Sequence, residues 1–301
     1  MKISIILPTY NRASTFLKEA IDSVFNQDYK NWELIIIDNN SSDNTLELIK
    51  KYNSEKISIY SINNNGIIAK SRNLGIKKSK GDYIAFLDSD DYWYKNKLQK
   101  CINAIKSGNY PIVCHGEKWL YSNTSIDKIY GPKEKFIYSK MLSLGSSPVS
   151  TSAVLIDKKL IYKAGLFSED EDIITAEDYD MWLNVANIET NIKFIDESLG
   201  VFRVHEKSQS SNIYFNTNSI INVLSHHYDN NKSTPNPIKK ISYSRVWINA
   251  AKTLQIKGQY ADSFKAYQRG LQLKFSLKVI LLMASLLVPY KFFKIIYFSI
   301  K

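Results

Sequence analysis

Ile3-Ser4-Ile5-Ile6-Leu7-Pro8-Thr9-Tyr10-Asn11-Arg12 passes from an apolar run straight into a polar turn. The run reads as a buried strand. The same passage recurs at Leu34 to Ile37, followed by Asp38-Asn39-Asn40, and at Tyr83 to Leu87, followed by Asp88-Ser89-Asp90-Asp91. Ile57 to Tyr60 is a further strand. Between these runs the spacing is helical. Leu17, Ala20, Ile21, Val24 and Phe25 share one helix face. Ser41-Ser42-Asp43 supplies N-cap candidates for a helix through Leu46 and Ile49, and Ile68 to Ile76 reads as another helix. Strands alternating with helices predict a Rossmann-like α/β fold, a mostly parallel central sheet flanked by helices. In such sheets ligands sit beyond the carboxyl ends of the strands. Three strand ends here deliver one polar loop and two acidic clusters to that edge.

The chain has 301 residues, 44% of them hydrophobic and 13% aromatic, enough apolar surface to exclude global disorder. No apolar run reaches the ~18 residues of a membrane-spanning helix. The opening Met1-Lys2 leads into an apolar stretch too short for a signal peptide, so a cytoplasmic product is expected. Cys101 and Cys114 are read as two reduced thiols. The net charge of +11 is uneven. Residues 1–231 carry 27 Lys/Arg and 28 Asp/Glu, whereas residues 232–301 carry 13 Lys/Arg and the single acid Asp262. A neutral body with a basic tail calls for a polyanionic partner of the tail.

Three regions are expected. Residues 1–215 form one large domain of two halves, 1–100 and 101–215. Residues 216–240, rich in Ser and Asn with Pro235 and Pro237, read as a linker or mobile loop. Residues 241–301 read as a basic, apolar helical appendage.

Each cluster admits a chemical and a plain reading. Carboxylates two apart in Asp88-Ser89-Asp90 can hold a hard divalent cation that bridges phosphate oxygens, or can merely cap the next helix. Asp38 can accept hydrogen bonds from a nucleobase or ribose, or serve as a helix cap. Glu177-Asp178 precedes an amphipathic stretch with Trp182 and Leu183. It can complement a helix dipole, or supply a general base. Arg203-Val204-His205 could face a diphosphate or complete a metal shell, although a lone His is more often structural. No G-x-G-x-x-G follows the first strand and no G-x-x-x-x-G-K-[ST] occurs, which disfavours nicotinamide or flavin cofactors and a P-loop ATPase.

Together, five ordered stretches resemble glycosyltransferase family 2, with its GT-A fold. They are Ser4 through Arg12, Ile36 through Thr45, Gly66 through Gly75 with Arg72-Asn73-Leu74, Gly81 through Asp91, and Glu177 through Leu183. The resemblance covers residues 2 to about 210, and it implies that residues 1–215 are the catalytic domain, with 1–100 as the nucleotide-binding half and 101–215 as the acceptor-binding half. It implies that Pro8, Thr9, Tyr10, Arg12, Asp38, Asn40, Arg72, Asp88, Ser89 and Arg203 hold the nucleotide sugar. It further implies that Asp90, with His205, ligates Mn2+ or Mg2+, and that Asp178, or Glu177 in its place, is the catalytic base. The implied reaction is a single inverting sugar transfer from a UDP-sugar. The Q-x-x-R-W segment of polymerising synthases is missing. The family also points to a lipid-linked saccharide acceptor in surface polysaccharide assembly, of the O-antigen or capsule kind.

The tail points the same way. Residues 279–290 are apolar and end at Lys291; Phe292, Phe293, Ile295, Ile296, Tyr297 and Phe298 come next. That is too broken to span easily but suits a helix lying on an anionic membrane surface at the inner face of the cell membrane; a core helix docked on the catalytic domain and a re-entrant hairpin are the alternatives. A nucleic-acid partner would want solvated basic residues, so none is expected. Two other classes compete: a nucleotide-sugar pyrophosphorylase, which would release pyrophosphate, and a non-enzymatic membrane-surface protein.

Overall fold

The computed structural model describes residues 1–205, 211–230 and 235–287. The C-terminal part of the expected anchor, from residue 288 onward, lies outside the described residues. The chain divides into two compact units, residues 1–138 with 147–208, and residues 139–146 with 209–301.

The first unit opens with the alternation read from the sequence. Strand β1 (Ile3–Thr9) is followed by α1 (Leu17–Phe25), β2 (Trp32–Asp38), α2 (Thr45–Lys50), β3 (Ile57–Ser61), α3 (Ile68–Lys78) and β4 (Tyr83–Phe86). All three pairings, β1 with β2, β1 with β4 and β2 with β3, are parallel. Every residue of β1 is buried, as the unbroken apolar run requires of a central parallel strand. Pro8 has no N–H to give, and the ladder to β4 stops at Ile6 opposite Phe86, before Pro8 would be asked for one. Gly75 lets α3 lie directly on β1: a Cβ there would meet Ile6 Cγ2 at 2.5 Å.

The remaining strands make the far half of the sheet mixed. β5 (Tyr92–Trp93), α4 (Lys97–Gly108), β6 (Ile112–Leu120) and β7 (Ser125–Lys128) come first. They lead to α5 (Tyr138–Leu144), β8 (Val154–Asp157), α6 (Lys158–Ala164), α7 (Glu177–Ile188) and β9 (Ile192–Arg203). The sheet order is β3-β2-β1-β4-β8-β6-β9-β5, with β7 on β6. β8 is antiparallel to both β4 and β6, β9 is parallel to β6, and β5 is antiparallel to β9. The β5–β9 pair matters most for function, because it returns the end of β9, with Arg203, to the acidic loop that immediately precedes β5.

The second unit is helical: α8 (Ile213–Asn230), α9 (Asn236–Ile256), α10 (Tyr260–Leu273) and α11 (Leu277–Ala284). This corrects the linker expected at 216–240. Val223, Leu224, His227 and Tyr228 of α8 are buried, so packing overrides a Ser- and Asn-rich composition. Pro237 lies in the first turn of α9, where its missing N–H costs nothing. The division between units falls after residue 208 rather than 215, and residues 139–146, expected in the acceptor half, belong with the helical unit. Its core gathers Trp247, Ala251 and Leu254 of α9, Ala266 and Tyr267 of α10, and Val279 and Leu282 of α11. Gly258, at φ +74°, turns the chain between α9 and α10.

Candidate active site

The site is built at the carboxyl edge of β1, β2 and β4, all within the first unit. Thr9 ends β1 directly opposite Asp38, which ends β2. Two loops leave these strands and are sewn to each other. The backbone N–H of Asn11 donates to Ser41 Oγ (2.9 Å), and Ser42 N–H donates to Asn11 Oδ1 (2.8 Å). Arg12 N–H donates to Thr45 Oγ1 (2.9 Å), and Ala13 N–H to Asp43 Oδ2 (3.1 Å). Asn11 (φ +49°) and Asn40 (φ +51°) adopt the left-handed conformation that asparagine tolerates best among residues with a Cβ. Asp38 is fully buried; its Oδ2 accepts from Ser41 N–H (3.0 Å) and its Oδ1 from Ser41 Oγ (2.5 Å). A carboxylate offers about four acceptor directions, and Ser41 takes two of those of Asp38. Thr9 Oγ1 is buried and has no partner among the described residues, while Tyr10 is 55% exposed beside it.

The loop after β4 carries the acids. Asp88 Oδ1 accepts from Arg72 (3.1 Å). Ser89 is buried. Asp90 Oδ2 lies 2.9 Å from His205 Nε2 and 3.6 Å from an Arg12 guanidinium nitrogen. Arg203 donates to the Asp90 carbonyl (2.6 Å) and pairs with Glu19; its guanidinium also packs 4.5 Å over Phe16 and 4.7 Å over Tyr92. Arg12, Asp90, Arg203 and His205 therefore meet, although their positions span the first two hundred residues of the chain.

Arg72, on α3, joins this loop to α7. It is 4% exposed and donates to both Asp88 and Glu177 Oε1 (2.6 Å). Burial disfavours its charge, but Asp88, Glu177 and Asp178 more than offset this and hold it protonated. Its Nε, and Glu177 Oε2, are buried without a partner among the described residues. Asp178 is the next residue. Burial and the Glu177 carboxylate push its carboxyl up to about 6, against the pull of Arg72. Thr151 Oγ1 approaches Asp178 Oδ2 at 3.5 Å. Glu177 is thus engaged by Arg72, and Asp178 is the acid with a proton affinity suited to base catalysis near neutral pH. Arg72 thus links Asp88 to Glu177 and its neighbour Asp178, while Thr9 and Asp38 close the adjoining strand ends of β1 and β2.

Sequence reasoning missed a lower tier of buried acids. Asp91 is 1% exposed; Oδ1 accepts from Arg203 N–H (2.9 Å) and Oδ2 from Ser152 Oγ (3.0 Å). It fastens the acidic loop to the end of β9 and to the turn at Thr151-Ser152. Burial, then Asp90 and Glu117, raise its carboxyl well above the usual range. Glu117, on β6, is also buried, and burial pushes it up to about 6 while hydrogen bonds from Tyr130 and Ser150 pull it down. The only signal for Asp91 was its place as the last acid of the cluster; Glu117 is a lone acid within a strand and gave none. Replacing Asp91 by Leu strands two donors, the Arg203 N–H and the Ser152 hydroxyl. A stability loss of about 1–3 kcal/mol is expected in urea unfolding, against much less for Asp91→Asn. Equal losses for both variants would contradict this account.

Among the described residues, no group of three or more His, Cys, Asp or Glu is placed to hold a metal ion by itself. Asp90 Oδ2 and His205 Nε2 offer one hard oxygen and one imidazole nitrogen at 2.9 Å separation. These are two donors of kinds that divalent cations accept.

The description "Glycosyl transferase family 2" matches residues 4–160. The UDP-Glc:alpha-D-GlcNAc-diphosphoundecaprenol beta-1,3-glucosyltransferase WfgD of Escherichia coli is 31% identical over 212 residues, covering 70% of this chain and 80% of WfgD. An uncharacterized glycosyltransferase of Rickettsia conorii is 33% identical over 238 residues, and the chain spans 37% of its length. Among solved structures, Staphylococcus aureus TarS 1-349 in complex with UDP-GlcNAc superposes with a TM-score of 0.66 at 18% identity, covering 95% of this chain and 87% of that one. A Pyrobaculum calidifontis mannosyltransferase in complex with GDP-Man and Mn2+ gives 0.63 at 15% identity, covering 98% and 82%. At these identities the structural likeness speaks for the fold.

Proposed function

Because this chain belongs to glycosyl transferase family 2, we propose that it moves a single hexosyl unit, with inversion, from a UDP-sugar to a lipid-linked saccharide. One observation carries the reading: Arg72 bonds to Asp88 on one side and to Glu177, the neighbour of Asp178, on the other. The acid assigned as base is thereby tied to the loop assigned to the donor diphosphate. UDP as the nucleotide is supported by WfgD, which uses UDP-Glc, and by the UDP-GlcNAc complex of TarS. The lipid-linked acceptor is supported by the diphosphoundecaprenol in the name of WfgD.

In this mechanism Asp38, with the Thr9 hydroxyl, receives the nucleoside. Pro8, Tyr10, Arg12 and Asn40 line its loops, and Asp88 and Ser89 lie toward the ribose. Arg203 faces the diphosphate. Asp178 takes the proton of the acceptor hydroxyl as the new carbon–oxygen bond forms at the anomeric carbon. The bond to phosphate breaks on the opposite face, and its electron pair leaves with UDP. Asp90 and His205 would hold Mn2+ or Mg2+, whose charge would offset that of the departing diphosphate.

Asp90→Ala is expected to abolish metal-dependent UDP binding while the fold persists. Calorimetry with UDP, with and without Mn2+, reads this directly, and an unchanged Mn2+-dependent heat would remove Asp90 from the metal site. Release of UDP rather than pyrophosphate separates transfer from pyrophosphorylase chemistry.

The acceptor reading sets the enzyme at a membrane. We take it to be peripheral on the inner face of the cell membrane, held by its basic C-terminal region. No helix among the described residues is long and apolar enough to cross a bilayer.

A further inference from the structure

The helical unit contains a cleft of about 290 Å³ lined by Asn236, Pro237, Lys240, Ile241, Leu273 and Lys274. Two cations, Lys240 from the start of α9 and Lys274 from the end of α10, share this space with aliphatic side chains. Both lysines are exposed. The combination of two lysines with a lining of Pro237, Ile241 and Leu273 fits an anion that carries a hydrocarbon body.

The segment beyond Lys274 is apolar and outward-facing. Phe275 and Leu277 are each 70% exposed. Helix α11 then presents apolar residues on two faces. Val279 and Leu282 are buried in the helical core, whereas Leu277, Ile280 and Leu281 face outward, at 70%, 40% and 57% exposure. The outer set recurs at i, i+3 and i+4, a second apolar stripe with no counterpart in a helix that serves only its own core. Lys278 lies exposed within the same turn. Among the described residues 235–287, nine are Lys or Arg against the single acid Asp262, so the helices that carry the stripe are strongly basic.

A soluble acidic protein would complement the charge but give no account of the aliphatic lining joined to an outward apolar stripe. A nucleic acid would leave both features in water. An anionic bilayer satisfies both at once. Apolar side chains enter the boundary between headgroups and acyl chains, and lysines meet the phosphates.

We propose that the Lys240–Lys274 cleft is a phospholipid site that binds the phosphate of an anionic membrane lipid, with Phe275 and the outer stripe of α11 inserted beside it. This deepens the reading of a membrane-side acceptor given above and rests on it.

The test is co-sedimentation of the full chain with vesicles of phosphatidylglycerol in phosphatidylcholine, and with phosphatidylcholine alone. Two double variants are compared, Lys240→Glu with Lys274→Glu, and Leu277→Asp with Leu281→Asp. UDP binding by calorimetry serves as the control for folding. The wild type is expected to partition onto the anionic vesicles. Each double variant should weaken that partition by about tenfold or more, with UDP binding unchanged. Variants that bind like the wild type would overturn the proposal, as would equal wild-type binding to neutral vesicles. The two readings fail separately. Measured sugar transfer with variant-independent vesicle binding sinks this site alone. Variant-sensitive binding without sugar transfer sinks the transferase reading and leaves the lipid site standing.

Discussion

Asp178→Asn is expected to keep donor binding and lose sugar transfer by about 10²–10⁴-fold, the usual contribution of a positioned general base. The amide preserves the shape and the Thr151 contact but cannot take a proton. The same residue sets a pH profile. Its carboxyl is pushed up to about 6 by burial and by Glu177, with Arg72 opposing. A base works only when ionised, so kcat/KM should rise with pH through about 6 and level off above it. Glu177→Gln removes the neighbouring negative charge and should shift that acid limb to lower pH, whereas Asp178→Asn should remove it. Radiolabelled sugar transfer across pH 5 to 8, paired with UDP calorimetry, checks both statements. Near wild-type turnover in Asp178→Asn would end the base assignment.

Arg72→Met is expected to produce the largest loss of stability of any single change at the site, about 3–5 kcal/mol in urea unfolding. The Arg72 side chain is 5% exposed and that of Glu177 9%, so methionine would leave the Glu177 carboxylate buried and unpaired. Asp88, at 28%, can recover some hydration. The double variant Arg72→Met with Glu177→Met removes both charges together and should regain most of the loss, because the cost lies in stranding one ion rather than in forfeiting the pair. A loss below about 1 kcal/mol for Arg72→Met would show that the bridge is not a structural brace.

The parallel half of the sheet was legible because its two central strands, β1 and β2, are isoleucine-rich apolar runs buried almost throughout, and such runs announce themselves without any tertiary knowledge. The acidic strand ends were legible for the same reason: once Leu7, Ile37 and Leu87 are placed, the residues after them must emerge at one edge. The bond between Arg72 and Glu177 was not legible, since it joins positions 105 residues apart and neither residue is unusual in its own segment. The family resemblance implies that Arg72 holds the nucleotide sugar; in the structure its terminal nitrogens bond to the carboxylates of Glu177 and Asp88. Asp91 and Glu117 escaped because burial, not residue type, makes a carboxylate matter, and burial of a lone acid leaves no periodic trace. Helix α8 escaped for the opposite reason. Its composition imitates a loop, and only the packing of Val223, Leu224 and Tyr228 reveals the helix.

The reciprocal bonds between the Asn11 and Ser41-Ser42 segments bear on how such an enzyme can be re-engineered. Neither loop is an independent module. A chimera that imports one of them from a relative would bring half a seam, with amides and hydroxyls facing the wrong partners. Donor preference should therefore be portable between family members only when both loops are grafted together as one cassette, and natural lineages would be expected to exchange them in the same way.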